Sequence, residues 1–171
     1  MKRPAFFSFH YGNDVSRASL VRNIGVVEGN EPLSDNDWEK VKRGGDTAIE
    51  RWIENQLKYK QIVIVLIGSQ TASRPWVLYE ISRAYKLGKP LMGIYINGLK
   101  NLDGRTSAKG RNPFDYVNGA NGIPLSTWVP VHEPWPYDDS KAVYNEIRNS
   151  IGQWVESAIT LKQNRDILGL R

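Results

Sequence analysis

The chain has 171 residues, 40% hydrophobic and 24% charged, with a formal net charge of +5, which is the composition of a water-soluble globular protein and a length that one domain spanning 1–171 accounts for. It contains no cysteine, which excludes disulfides, thiolate nucleophiles and Cys-ligated zinc, and its two histidines, His10 and His132, give no metal-ligand spacing. Basic residues are interspersed with acidic ones, so the charge suits an anionic ligand rather than a nucleic acid, and no apolar run reaches the length of a signal peptide or a membrane span, so the expected location is the cytoplasm.

Residues 5–9 form a short aromatic strand, ended by the turn-forming His10-Tyr-Gly-Asn-Asp14, where Asn13 or Asp14 is placed to cap a helix over 15–22. A second strand is expected at 24–27. Segment 28–45, rich in Gly, Pro, Asn and Asp, reads as a long loop with one helical turn around Trp38. Thr47-Ala-Ile-Glu50 is a capping box that opens a helix running to about Tyr59, with Ile49, Trp52, Ile53 and Leu57 at helical spacing. Ile62-Val-Ile-Val-Leu-Ile67 has no alternation, as expected of a strand buried on both faces of a parallel sheet.

Past the turn at 68–71, Ser73 is placed to cap a helix whose first turn takes Pro75 and whose end is Gly88, a left-handed cap. Residues 91–96 form the next strand. Residues 97–122 are loop by composition; they carry Lys100, Arg105, Lys109 and Arg111 and a hydrophobic knot at Asn112-Pro-Phe-Asp-Tyr116, and a loop of this length is usually functional or mobile. The last strand is expected at 123–129, with Pro124 at its edge or start, followed by an irregular connector over 130–136. From about Asp139, the recurrence of Val143, Ile147, Ile151, Trp154, Ala158 and Leu161 marks a long amphipathic helix.

This alternation predicts an α/β fold: a flavodoxin-like, five-stranded parallel sheet in the order 2-1-3-4-5, flanked by helices on both faces. Ligands of such sheets bind beyond the carboxyl ends of the strands at the switch point, here beside 9–13 and 68–71. The helix that starts there holds Trp76 and Glu80 at i and i+4, a ring and a carboxylate side by side. Such a pair can hold a planar group and stabilise a positive charge. Spacing alone favours Trp76 in the core and Glu80 as a solvated surface acid, and the place of the pair at the switch point weakens that plainer reading.

Glycine-rich phosphate cradles and nucleophile elbows are missing from the sequence. Ser8 and Ser69 are nucleophiles only if a histidine reaches them; His10, two residues from Ser8, reads more simply as a packing residue. A lone carboxylate suits cleavage of an N-glycosidic bond through an oxocarbenium-like ribose. Nicotinamide leaves a pyridinium as a neutral molecule, so one glutamate with aromatic walls is chemically sufficient for cleavage of NAD.

Phe6-Phe-Ser-Phe-His-Tyr11, followed by Asp14-Val15, Arg17 and Val21-Arg-Asn23, resembles the opening of the TIR-like ThsB family of the bacterial Thoeris anti-phage system. Val65-Leu-Ile-Gly-Ser-Gln-Thr71, Trp76-Val with Tyr79-Glu-Ile81, Gly93-Ile with Ile96-Asn97, and Asn112-Pro-Phe-Asp-Tyr116 match it in the same order, over roughly 5–116. The resemblance implies a TIR-like fold and an enzyme that uses NAD as substrate, with no separate cofactor and no metal. It would cleave the nicotinamide–ribose bond and make a cyclic ADP-ribose-type signal that reaches and activates an effector protein by diffusion. By the same comparison Glu80 takes the catalytic position in a W-x-x-x-E setting, and Phe9, His10, Tyr11 and Ser69 line the NAD pocket, with Trp76 as a wall. Segment 28–45 occupies the place of the TIR BB-loop, which often mediates TIR–TIR self-association.

Two alternatives stand beside this reading. A non-catalytic TIR-like interaction module would leave Glu80 a surface acid; the discriminating observation is whether Glu80 lines a concave pocket with aromatic walls. A nucleoside deoxyribosyltransferase-like enzyme shares the fold class and a catalytic carboxylate, but the Phe-Ser-Phe-His opening argues against it.

Overall fold

The computed structural model describes residues 2–29, 35–136 and 138–171. Its sheet has five parallel strands, β1 (Arg3–Ser8), β2 (Val27–Glu28), β3 (Ile62–Ile67), β4 (Leu91–Tyr95) and β5 (Val131–His132), in the order β2-β1-β3-β4-β5. Five α-helices accompany it among the described residues: α1 (Tyr11–Arg22), α2 (Asp35–Lys42), α3 (Asp46–Leu57), α4 (Pro75–Lys86) and α5 (Ser140–Ile167). This is the expected flavodoxin-like architecture and strand order.

Every residue of β3 is buried, because β1 and β4 pair with it on both sides and helices cover both faces. Alternation sorts the strand side chains into two cores. Phe7, Phe9, Ile64, Leu66 and Ile94 pack with Ala18 and Val21 of α1 and with Ile147, Ile151 and Val155 of α5. Phe6, Val63, Val65 and Ile67 pack on the other side with Ile53 and Leu57 of α3 and with Val77 and Ile81 of α4. Each such fully buried aliphatic or aromatic side chain contributes about 1.5–3 kcal/mol.

Several local expectations are corrected. Helix α1 starts at Tyr11, because Asp14 N already donates to His10 O at 2.9 Å; His10 is the N-cap and Asn13 and Asp14 lie inside the first turn. The second strand begins only at Val27. Residues 30–34 of the expected loop lie outside the described residues, but 35–42 are helix α2, and Trp38 is buried. Thr47 does not open α3: Gly45, at φ +86°, supplies the turn and the N-cap position, so the helix begins one residue before Thr47. That helix ends at Leu57, and Tyr59 lies beyond it with φ 70°.

Ser73 does not cap α4. Its Oγ donates to Gln70 O at 2.9 Å within a single 3₁₀ turn, and Arg74 takes the N-cap position, with Pro75 in the first turn as expected. Residues 123–129 are not a strand: Leu125–Thr127 form a 3₁₀ turn, Leu125 N donates to Val117 O at 2.9 Å, and Leu125 and Val129 tuck into the core. The residues that pair with Gly93 and Ile94 of β4 are Val131 and His132. Helix α5 is capped by Asp139, whose Oδ1 accepts from Lys141 N and Ala142 N.

The long loop after β4 is fastened to the strand ends. Arg17, on α1, donates from Nε to Leu99 O and from Nη2 to Arg105 O, both at 2.8 Å, and from Nη1 to Asp14 Oδ1 at 2.9 Å. Farther along the loop, Gly110 sits so close to the end of β3 that a Cβ there would lie 2.1 Å from Gly68 O. Among the described residues, no helix is long and apolar enough to cross a membrane.

Candidate active site

The site grows from the meeting of β1 with α4. Phe6 belongs to the core under α3 and α4, so alternation along the extended chain turns Ser8 and His10 toward the same layer. Helix α4 answers with Trp76 and Glu80, one turn apart. Two pairs result. The His10 and Trp76 rings lie 5.9 Å apart, and the Ser8 hydroxyl lies beside the Glu80 carboxyl.

Glu80 is 2% exposed, and Trp76 is only half-buried. This reverses the plain expectation of a core ring and a solvated acid. Burial pushes the Glu80 carboxyl well above the ordinary range, and the Ser8 hydroxyl opposes that push. No well-formed hydrogen bond joins the two: Ser8 Oγ and Glu80 Oε2 are both buried without a partner among the described residues.

An aromatic wall continues from Trp76. Trp38 of α2 lies 6.1 Å from Trp76, 6.4 Å from Trp52 and 5.9 Å from Tyr79, ring centre to ring centre. The Arg74 guanidinium stands 5.9 Å over the Trp76 ring. Trp38 is the wall residue that the sequence places in a single helical turn within a loop; the signal for the full helix is the i,i+3 pair Trp38 and Val41 in an otherwise polar stretch.

The other expected pocket residues are distributed differently. Phe9 is buried in the opposite core, and Tyr11 packs against that core as well, so neither side chain joins Glu80. Ser69 follows the end of β3 and lines a cleft of about 330 Å³ with Gln70, Ser73, Arg111 and Tyr116. A second cleft, about 480 Å³, runs beside α4 past Pro75, Tyr79 and Tyr116. Glu80 lines neither. Among the described residues, no group of three His, Asp or Glu side chains is placed to hold a metal ion.

A buried polar pair stands beside the site. Asp14 and Arg17 are 1% and 4% exposed and bonded to each other. The Asp14 carboxyl lies against Gly68, where any Cβ would meet Oδ2 at 2.0 Å. Burial raises its pKa even though Arg17 pulls the other way.

Fold and site together define a doubly wound α/β protein of TIR-like kind, with a tryptophan and a glutamate one turn apart on the helix after β3. Residues 6–101 match the family described as Thoeris protein ThsB, TIR-like domain, and the chain belongs to that family. It is 39% identical over 122 residues to the Bacillus cereus (strain MSX-D12) protein named "Putative cyclic ADP-D-ribose synthase ThsB1". That match covers 68% of this chain and 64% of the relative, so the chain spans just under two thirds of the relative's length.

Proposed function

We propose that this chain is an NAD-consuming enzyme of anti-phage defence, which cleaves the nicotinamide–ribose bond and closes the ADP-ribose remainder into a cyclic signal for an effector protein. The observation that supports this reading is the Glu80 carboxyl, buried one helical turn from Trp76 at the switch point of the sheet. The name of the Bacillus cereus relative points to the same product class.

The chemistry follows from what a buried carboxyl can do. The bond between ribose C1 and the pyridinium nitrogen breaks with both electrons going to nitrogen, and nicotinamide leaves neutral. The positive charge left on C1 is shared with the ring oxygen and is stabilised by Glu80 as a carboxylate. A cationic pyridinium brought beside Glu80 favours that ionised form, against the pull of burial. Capture of C1 by a nucleophilic atom of the same ADP-ribose, with loss of any proton it carries, closes the ring. Capture by water gives free ADP-ribose. Trp76, Trp38 and His10 exclude water from this end of the sheet and so favour ring closure.

One observation favours a second reading, a non-catalytic interaction module. Glu80 is enclosed, and the two clefts beside α4 are lined by other residues. Mass spectrometry of nucleotides decides between them, from cells expressing the wild type or Glu80→Gln, with and without phage challenge. The expected result is a cyclic ADP-ribose species in the wild type that is absent from Glu80→Gln. Absence of any NAD-derived product under both conditions would establish the interaction module instead.

A further inference from the structure

One polar side chain at the site has no role in the steps above. Ser8 is the last residue of β1, 1% exposed, and paired in register with Val65 of β3. It faces the layer occupied by Val77, Ile81 and Ala84 of α4, all fully buried, and Glu80 enters that layer from the same helix stripe. In this apolar setting Ser8 Oγ and Glu80 Oε2 are each left without a partner among the described residues, although each is a group that normally finds one when buried. A carboxylate only accepts hydrogen bonds, and the serine hydroxyl can donate one.

We propose that Ser8 is a positioning residue for Glu80: its hydroxyl donates a hydrogen bond to the ionised carboxylate and holds it in the orientation that meets the ribosyl cation. The assignment rests on the NAD-cleaving reading for its catalytic meaning and on strand register and burial for its geometry. Hydrogen bonds of this kind are often long in the free protein and tighten with ligand bound.

Among the described residues, the other titratable and charged side chains on the elements around this carboxyl are engaged elsewhere or exposed. His10, at the end of β1, packs on Trp76; Arg74 stands over Trp76 and donates to Gln70; Arg83 of α4 pairs with Glu54 of α3; Asp14 pairs with Arg17; Asp37 and Glu39 of α2 are exposed. Ser8 draws the Glu80 carboxyl back toward the ionised form, against the push of burial.

The test is a carboxyl-carbon NMR titration of the full chain without substrate, with the Glu80 signal assigned by its loss in Glu80→Gln. In Ser8→Ala the Glu80 midpoint should move to higher pH by on the order of one unit. Ser8→Thr should bring it back, and Ser8→Cys, a weaker donor, should fall between. In an NAD assay followed by mass spectrometry, Ser8→Ala should lower kcat by roughly 10- to 100-fold with KM nearly unchanged, and should shift the acid limb of the pH profile upward. A Glu80 midpoint that is the same in folded Ser8→Ala, or in Ser8→Cys, overturns the assignment. A shifted midpoint in a chain whose wild type makes no product supports the Ser8–Glu80 bond and overturns the NAD reading.

Discussion

The imidazole of His10 and the indole of Trp76 face each other with centroids 5.9 Å apart and planes tilted by 55°. Tilted aromatic contacts are favourable because the edge of one ring meets the electron-rich face of the other. His10 is the N-cap residue of α1 but makes no capping hydrogen bond through its side chain, and Trp76 is the second residue of α4. One ring contact therefore joins the starts of the two helices that flank the switch point, directly beside Glu80.

Glu80 should cost the fold stability at neutral pH. The unfolded chain ionises this carboxyl near the ordinary value of 4.5, whereas burial keeps the folded carboxyl protonated to a much higher pH. Stability therefore falls as pH rises through the interval between the two values. Glu80→Gln removes the titration. At pH 7 it should be more stable than the wild type, with a Tm gain of about 2–4 °C for each kcal/mol of the linkage removed. The gap should close below about pH 4.5. Calorimetric scans at pH 4, 5.5 and 7 check this, and equal Tm values at pH 7 would mean that the carboxyl is hydrated.

Arg17 holds the loop after β4. Arg17→Ala would strand the buried Asp14 carboxylate and remove the donors to Leu99 O and Arg105 O. The expected loss is about 3–5 kcal/mol in urea unfolding. Arg17→Lys should recover little of it, because an ammonium cannot reproduce the fork that reaches four acceptors, Asn13 O among them. In hydrogen exchange, the amides of Asn101, Gly104 and Ser107, which donate within this loop, should open first. Unchanged exchange there would show that the loop is held by other contacts.

His132 of β5 stacks on Trp154 of α5 at 4.2 Å with an 8° interplanar angle. Burial lowers its pKa, with Glu146 opposing. Below the ordinary histidine value of 6.5 the unfolded chain takes up the proton first, so stability is lost as pH falls through 6.5 toward the folded value. His132→Phe keeps a ring on Trp154 and does not titrate. Between pH 7.5 and 5 the wild type should lose roughly 0.5–1 kcal/mol more than this variant, a modest figure for a half-buried group. Parallel slopes in urea unfolding would refute it.

Legibility in the sequence followed the strength of local pattern. The unbroken apolar run of β3, the Gly88 stop of α4 and the Asp139 cap of α5 carry signals with no competitor, and the strand order follows from their alternation. Helix α2 is obscured because Trp38 is buried by Trp52 and Trp76, partners distant in sequence, while Asp35, Asn36 and Asp37 ahead of it have loop composition. The last strand is misplaced because 123–129 has the better apolar pattern, whereas two-residue β5 has too few positions to show alternation. At the site, i,i+4 spacing reveals Trp76 and Glu80 as neighbours. It does not reveal that Glu80 is the buried one, since glutamate is rarely inside. Strand parity does foretell that Phe9 turns away from Ser8 and His10; the motif, read as a unit, hides it.

Among the described residues, both borders of the sheet, β2 and β5, are two residues long. An incoming strand would find only two rungs on which to build a ladder, too few to hold it. Edges this short are poor templates for pairing with the strand of another chain. Recognition of a partner then falls to side chains on the helices and loops, where individual substitutions tune it.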